Sequence, residues 1–138
     1  MSKHRVIVDT GPLVAFLVKS EQFHGWAVER FQELPTPFLT CEPVLAETFF
    51  LLSRVPNGAR SFFDLLDSGL LAVDFNVFAE RDPLQKLIAK YRDLPMSLAD
   101  ACLVRMAERN DQASVFTADT HFKIYRKHGR QQLRVIMP

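Results

Sequence analysis

The chain has 138 residues, 48% hydrophobic and 24% charged, with 17 basic and 16 acidic side chains and a net charge of +1. That length suits one domain over residues 1–138 with a sizeable core, and the composition excludes a disordered chain. No apolar run is long enough to span a bilayer, no signal-peptide stretch opens the chain, and Cys41 and Cys102 lack metal spacing, so a cytoplasmic protein with reduced thiols is expected.

Arg5–Val8 is a short branched apolar run that ends abruptly in Asp9. Such a run reads as a strand buried on both faces, as parallel sheets require. Thr10-Gly11-Pro12 turns the chain, with Thr10 as the expected N-cap of a helix over Pro12–Val18. Phe23–Leu34 has helical apolar spacing and is ended by Pro35 and Pro37. Phe38–Thr40 is the next strand, and Pro43 opens an apolar helix over Val44–Arg54. Ala59–Leu66 predicts a helix, Leu70–Val73 a strand, and Phe78–Tyr91 an amphipathic helix with Pro83 early in it or breaking it. After the loop Leu94–Met96, Ser97–Glu108 predicts a helix and Ser114–Thr117 a strand leading to Asp119. Thr120–Lys127 is expected to be helical and closed by Gly129, and Leu133–Met137 is the last strand. Helices separating most strands predict an α/β domain with a parallel sheet.

Charge is unevenly spread. No acid follows Asp119, but Lys123, Arg126, Lys127, Arg130 and Arg134 do, leaving the other twelve basic residues against all 16 acids. An acidic body with a basic end could hold a cation beside a phosphate backbone, although a solvated last helix explains the same charges.

Four carboxylates stand out. Asp9 and Asp119 end apolar strands, where ligand crevices of parallel sheets open, yet each also reads as a turn or cap residue. Glu47 has Pro43, Val44, Phe50 and Leu51 as helical neighbours. Buried there without a partner it would shift its pKa upward; the other reading is a narrow exposed stripe of Glu47 and Thr48. Asp100 adjoins Met96, Leu103 and Val104, and Ser97 three residues earlier also fits a capping box. Like charges gathered at close range repel by about 4 kcal/mol at roughly 4 Å and an effective dielectric near ~20. Such a group needs a cation or protons, and hard oxygen donors without His or Cys suit Mg²⁺ or Mn²⁺.

Val8–Leu13, Cys41–Glu47, Leu94–Ala101 and Val115–Asp119, in that order and spacing, resemble the motifs of the PIN domain, the fold of VapC-like toxin ribonucleases. The resemblance runs over essentially the whole chain. It implies a three-layer α/β/α fold with a parallel five-stranded sheet and acids converging at its carboxyl edge. It implies a Mg²⁺- or Mn²⁺-dependent endoribonuclease with Asp9, Glu47, Asp100 and Asp119 as catalytic and metal-binding acids. Thr10, Ser97 and Thr117 match the family's supporting hydroxyls. By the same resemblance, a homodimer and a cognate antitoxin are expected partners. Gly11 and His121 depart from the pattern, where many relatives carry Ser or Asn and a further Asp.

RNA as substrate fits Lys123, Arg126, Lys127 and Arg130, which lie on or just after one helix with several on one face beside the acids, with Tyr125 or Phe122 available to stack on a base. Core packing is the better role for Phe122. Arg105 could meet phosphate or pair with an acid. A non-catalytic RNA- or protein-binding module of the same fold, and a housekeeping ribonuclease without antitoxin, are the alternatives. A phosphatase using Asp9 as nucleophile lacks the second Asp it needs at Gly11.

Overall fold

The computed structural model describes residues 4–138. Its centre is a five-stranded parallel sheet of β1 (Val6–Val8), β2 (Phe38–Thr40), β3 (Leu71–Val73), β4 (Ser114–Phe116) and β7 (Arg134–Ile136), in the order β3-β2-β1-β4-β7. The pairs Ile7–Leu39, Ile7–Val115 and Val115–Val135 set the register across the middle. β1, β2 and β4 are buried throughout, which explains their unalternating apolar sequences.

Helices cover the sheet: α1 (Thr10–Leu17), α2 (His24–Glu33), α3 (Glu42–Leu52), α4 (Gly58–Asp67), α5 (Arg81–Lys90) and α6 (Leu98–Arg109). α1 packs on α2 and α3, α3 on α4, and α5 on α6. This is the three-layer α/β/α arrangement expected. An aromatic cluster ties α2 to the sheet: Phe31 lies 4.8 Å from Phe38 and 5.3 Å from Phe116, and Trp26 meets Phe116 edge-on at 5.1 Å. α6 lies against β1 and β4 and is buried over most of its length. Cys41 and Cys102 are buried free thiols.

Local details correct three expectations. Asp9, not Thr10, caps α1, accepting from the Thr10 N–H at 2.8 Å, so that Thr10 is the first helical residue. α5 starts at Arg81 rather than Phe78, because the Asn76 side chain accepts from the Ala79 N–H and holds the preceding residues in a turn; Pro83 then sits in the first helical turn.

The third correction is the largest. Thr120–Lys127 is not an α-helix. A 3₁₀ turn covers Thr120–Lys123, and an antiparallel hairpin follows, β5 (Arg126–Lys127) with β6 (Gln131–Gln132). Two contacts pull the chain out of helix. The Tyr125 ring is fully buried, and the Tyr91 hydroxyl accepts from the Arg126 N–H at 2.8 Å. His128 and Gly129, at φ 52° and 80°, make the hairpin turn, so Gly129 serves a strand pair instead of a helix end.

Candidate active site

Asp9, Asp100 and Asp119 come from three elements that meet at the carboxyl edge of the sheet. β1 delivers Asp9 and β4 delivers Asp119, since the strands are parallel neighbours. α6 starts at the same edge with Asp100 in its first turn.

Asp9 is 7% exposed. Its Oδ1 accepts from the Thr10 N–H at 2.8 Å and its Oδ2 from the Thr117 hydroxyl at 2.7 Å. Burial pushes the carboxyl up to about 6; the Thr117 and Thr10 bonds oppose this, and the charges of Asp100 and Asp119 add to it. The Thr117 hydroxyl also accepts from the Asp119 N–H at 2.9 Å, so one side chain fixes both strand-end acids.

Asp100 belongs to the capping box anticipated with Ser97. The Ser97 hydroxyl accepts from the Asp100 N–H at 3.0 Å, and Asp100 Oδ2 accepts from the Ser97 N–H at 3.2 Å. The same Oδ2 accepts from the Tyr125 hydroxyl at 3.2 Å. Burial raises the Asp100 pKa; the Ser97 N–H opposes it, and the charge of Asp119 raises it again. Asp119 is half-exposed, and its Oδ1 takes both the His121 N–H at 2.9 Å and His121 Nδ1 at 2.8 Å.

Glu47 differs from the buried acid expected as one of its two readings. It is exposed, and the Thr10 hydroxyl donates to its Oε2 at 3.1 Å. The buried face of α3 is Val44, Thr48 and Leu52, at helical spacing, which leaves Glu47 facing outward at the rim. Thr48, the other half of the stripe reading, is wholly buried and donates to the Val44 carbonyl at 2.7 Å. Thr10 nevertheless links Glu47 to Asp9, as its N–H holds one acid and its hydroxyl the other.

The basic segment is arranged otherwise than its helical spacing implied. Lys123 and Arg130 are exposed, but on a turn and a hairpin rather than one helical face. Arg126 folds its guanidinium back onto the carbonyls of Lys123, Ile124 and Tyr125 at 2.7, 2.9 and 3.2 Å. Lys127 is half-buried in β5. Tyr125 and Phe122 are fully buried, which removes both as stacking platforms. Arg105 pairs with Glu108 at 3.2 Å and Glu80 at 3.5 Å, the acid-pairing role foreseen for it. Tyr125 and His121 are the site residues the motif reading did not identify as partners of the acids. The sequence holds no sign of a bond from Tyr125 to Asp100, 25 residues away.

The donors at this edge are all carboxylate oxygens, which fits a hard divalent cation. As placed, no three Asp, Glu, His or Cys side chains among the described residues stand close enough to chelate one ion.

A central parallel sheet with acids at its carboxyl edge defines an α/β protein with a candidate hydrolytic site. The PIN domain family model matches residues 6–127, and the chain belongs to that family. No curated protein sequence matches it. Among solved structures, it is similar to the VapC20 toxin of Mycobacterium tuberculosis, a sarcin-ricin loop cleaving toxin. The TM-score is 0.67 and the identity 22%, over 83% of this chain and 91% of that one. Among the described residues, no helix is long and apolar enough to cross a membrane.

Proposed function

We propose that this chain is a divalent-metal-dependent endoribonuclease, acting as one catalytic domain over residues 1–138. Asp9, Glu47, Asp100 and Asp119 are its catalytic and metal-holding acids, with Thr10, Ser97 and Thr117 supporting them. The observation that carries this reading is the meeting of Asp9, Asp100 and Asp119, two of them buried, with no lysine or arginine paired to any of them among the described residues. Burying carboxylates without a counter-charge costs stability. A protein that maintains the arrangement has a use for the negative field.

A bound Mg²⁺ or Mn²⁺ supplies charge neutralisation at phosphoryl oxygens and acidifies water. The chain's own groups set the rest. Asp9, with its carboxyl raised to about 6, is mostly ionised at neutral pH, so a cation would meet a carboxylate there. Thr117 fixes Asp9 and the Asp119 main chain together, so the two strand ends cannot drift apart. Thr10 couples Glu47 to the buried acid. Lys123 and Arg130, exposed beyond β4, attract the RNA backbone with no choice of sequence, and Arg126 and Lys127 add to the same field.

The test is incubation of purified protein with total RNA and Mn²⁺ or Mg²⁺ beside Asp9→Asn. Cleavage by the wild type alone is expected; equal cleavage by both proteins overturns the assignment. Absence of cleavage and of any Mn²⁺-induced rise in melting temperature would favour a non-catalytic binding module.

The likeness to VapC20 supports a further step: a cytoplasmic toxin of a toxin–antitoxin pair, forming a homodimer. The exposed Phe50, Leu51, Phe63 and Leu66 on α3 and α4 supply apolar surface for protein partners. Co-expression with the neighbouring gene product is expected to give a stable complex that suppresses RNA cleavage. A free protein that is harmless in cells and forms no complex would remove the toxin reading and leave a housekeeping ribonuclease.

A further inference from the structure

The acids share a pattern in how their oxygens are used. Asp100 Oδ2 accepts two bonds, from the Ser97 N–H and the Tyr125 hydroxyl, while its Oδ1 accepts none from any described residue. Asp119 Oδ1 likewise accepts two, from the His121 N–H and Nδ1, while its Oδ2 accepts none from any described residue. In each carboxylate one oxygen is doubly held and the other has no partner among the described residues. Two donors on one oxygen fix both the position and the plane of a carboxylate, which a single donor does not.

The side-chain donors lie four residues apart on the short segment that departs from the expected helix. His121 and Tyr125 rings run nearly parallel, 24° apart with centroids 6.4 Å from each other. Tyr125 is wedged edge-on between Tyr91 at 5.1 Å and Phe122 at 5.2 Å, so its hydroxyl has little freedom to leave Asp100.

We propose that His121 and Tyr125 are positioning residues of the metal site: each occupies one oxygen of an acid, Asp119 and Asp100 respectively, and leaves the other oxygen for a divalent cation. This rests on the metal-dependent reading above. It also gives the non-helical path of residues 120–125 a purpose, because the segment serves both acids at once.

Outer donors of this kind typically govern metal affinity by about ten- to a hundredfold. The experiment titrates Mn²⁺ into the metal-free full chain, following the rise in melting temperature and the loss of the free Mn²⁺ resonance signal. Tyr125→Phe removes only the hydroxyl, and His121→Ala only the imidazole; each is expected to weaken Mn²⁺ binding about tenfold or more. His121→Asn places an amide nitrogen where Nδ1 stands and is expected to restore most of the affinity. Tyr91→Phe removes the hydroxyl that holds the Arg126 N–H and touches no acid. It is expected to lower the metal-free melting temperature with Mn²⁺ affinity unchanged. Wild-type affinity in both Tyr125→Phe and His121→Ala would overturn the proposal while leaving the metal-dependent reading standing. Equal weakening by Tyr91→Phe would reduce Tyr125 to a structural role and overturn it as well. No Mn²⁺ binding by the wild type would bring down both readings together.

Discussion

The two ends of α6 treat carboxylates in opposite ways. Toward its C-terminus, Glu80 from the turn before α5 meets Arg109 at 2.8 Å and Arg105 at 3.5 Å, and Glu108 meets Arg105 at 3.2 Å. Both of these acids have an arginine. At its N-terminus, Asp100 lies near Asp9 and Asp119, and among the described residues their only basic partner is His121 on Asp119. Hydrogen bonds from hydroxyls and main-chain N–H groups hold these acids in place but leave their charge uncompensated. The first arrangement is what stability alone would select, and the second carries a cost that burial of Asp9 makes visible. The difference separates an ion-pair brace from a gathering of like charges.

Substitutions should respond to that contrast. The largest effect is expected from Asp100→Asn, which lowers the RNA-cleavage rate with Mn²⁺ by about 10²–10³-fold, as loss of several kcal/mol of charge stabilisation implies. A variant as active as wild type would erase the contrast.

Asp9→Asn is expected to raise the stability of the metal-free protein. In the folded state Asp9 titrates near 6 against an ordinary value of 3.8. The raised group favours folding while protonated, so its contribution is present below pH 4 and is lost as pH rises through 6. Denaturant unfolding at pH 7.5 should therefore show the Asn variant about 1–3 kcal/mol more stable, with the gap closing near pH 4. Equal stability at both pH values would mean that Asp9 carries no burial penalty.

The same titration sets metal affinity. Lowering pH from about 7.5 to about 5 protonates most of Asp9 and should weaken Mn²⁺ binding about tenfold, measured calorimetrically.

At the paired end, Glu80→Gln is expected to cost about 1 kcal/mol in denaturant unfolding, because Arg109 is more than half exposed and water screens the pair. Mn²⁺ affinity should not change; if it did, the two ends would not be independent. The smallest effect belongs to Lys123→Ala. It should lower the slope of log RNA affinity against log salt by about 0.7, one phosphate contact on a single strand, with cleavage-site choice unchanged.

Much of the strand framework was legible, and the reason is local. β1 and β4 are short runs followed within three residues by an acid, and burial on both faces removes the need for alternation. The Ser97–Asp100 box is equally local, which is why spacing alone disclosed it. Glu47 was harder, because apolarity in α3 does not track burial. Phe50 is 61% exposed and Leu51 42%. A helix apolar nearly all round then gives no sign of which face is inside. The C-terminal region misled for a tertiary reason. Thr120–Lys127 has acceptable helical spacing, but a buried Tyr125 and the Tyr91 bond to the Arg126 N–H outweigh it. The hairpin strands, Arg-Lys and Gln-Gln, carry no apolar alternation that could announce them.

The strand order has a consequence for synthesis. β4 enters the sheet between β1, made first, and β7, made last. Asp9, Glu47 and Asp100 all precede β4 in the chain, and the Thr117 hydroxyl that bonds Asp9 comes only just after it. The edge that gathers Asp9 and Asp119 is therefore among the last parts of the chain that synthesis can complete.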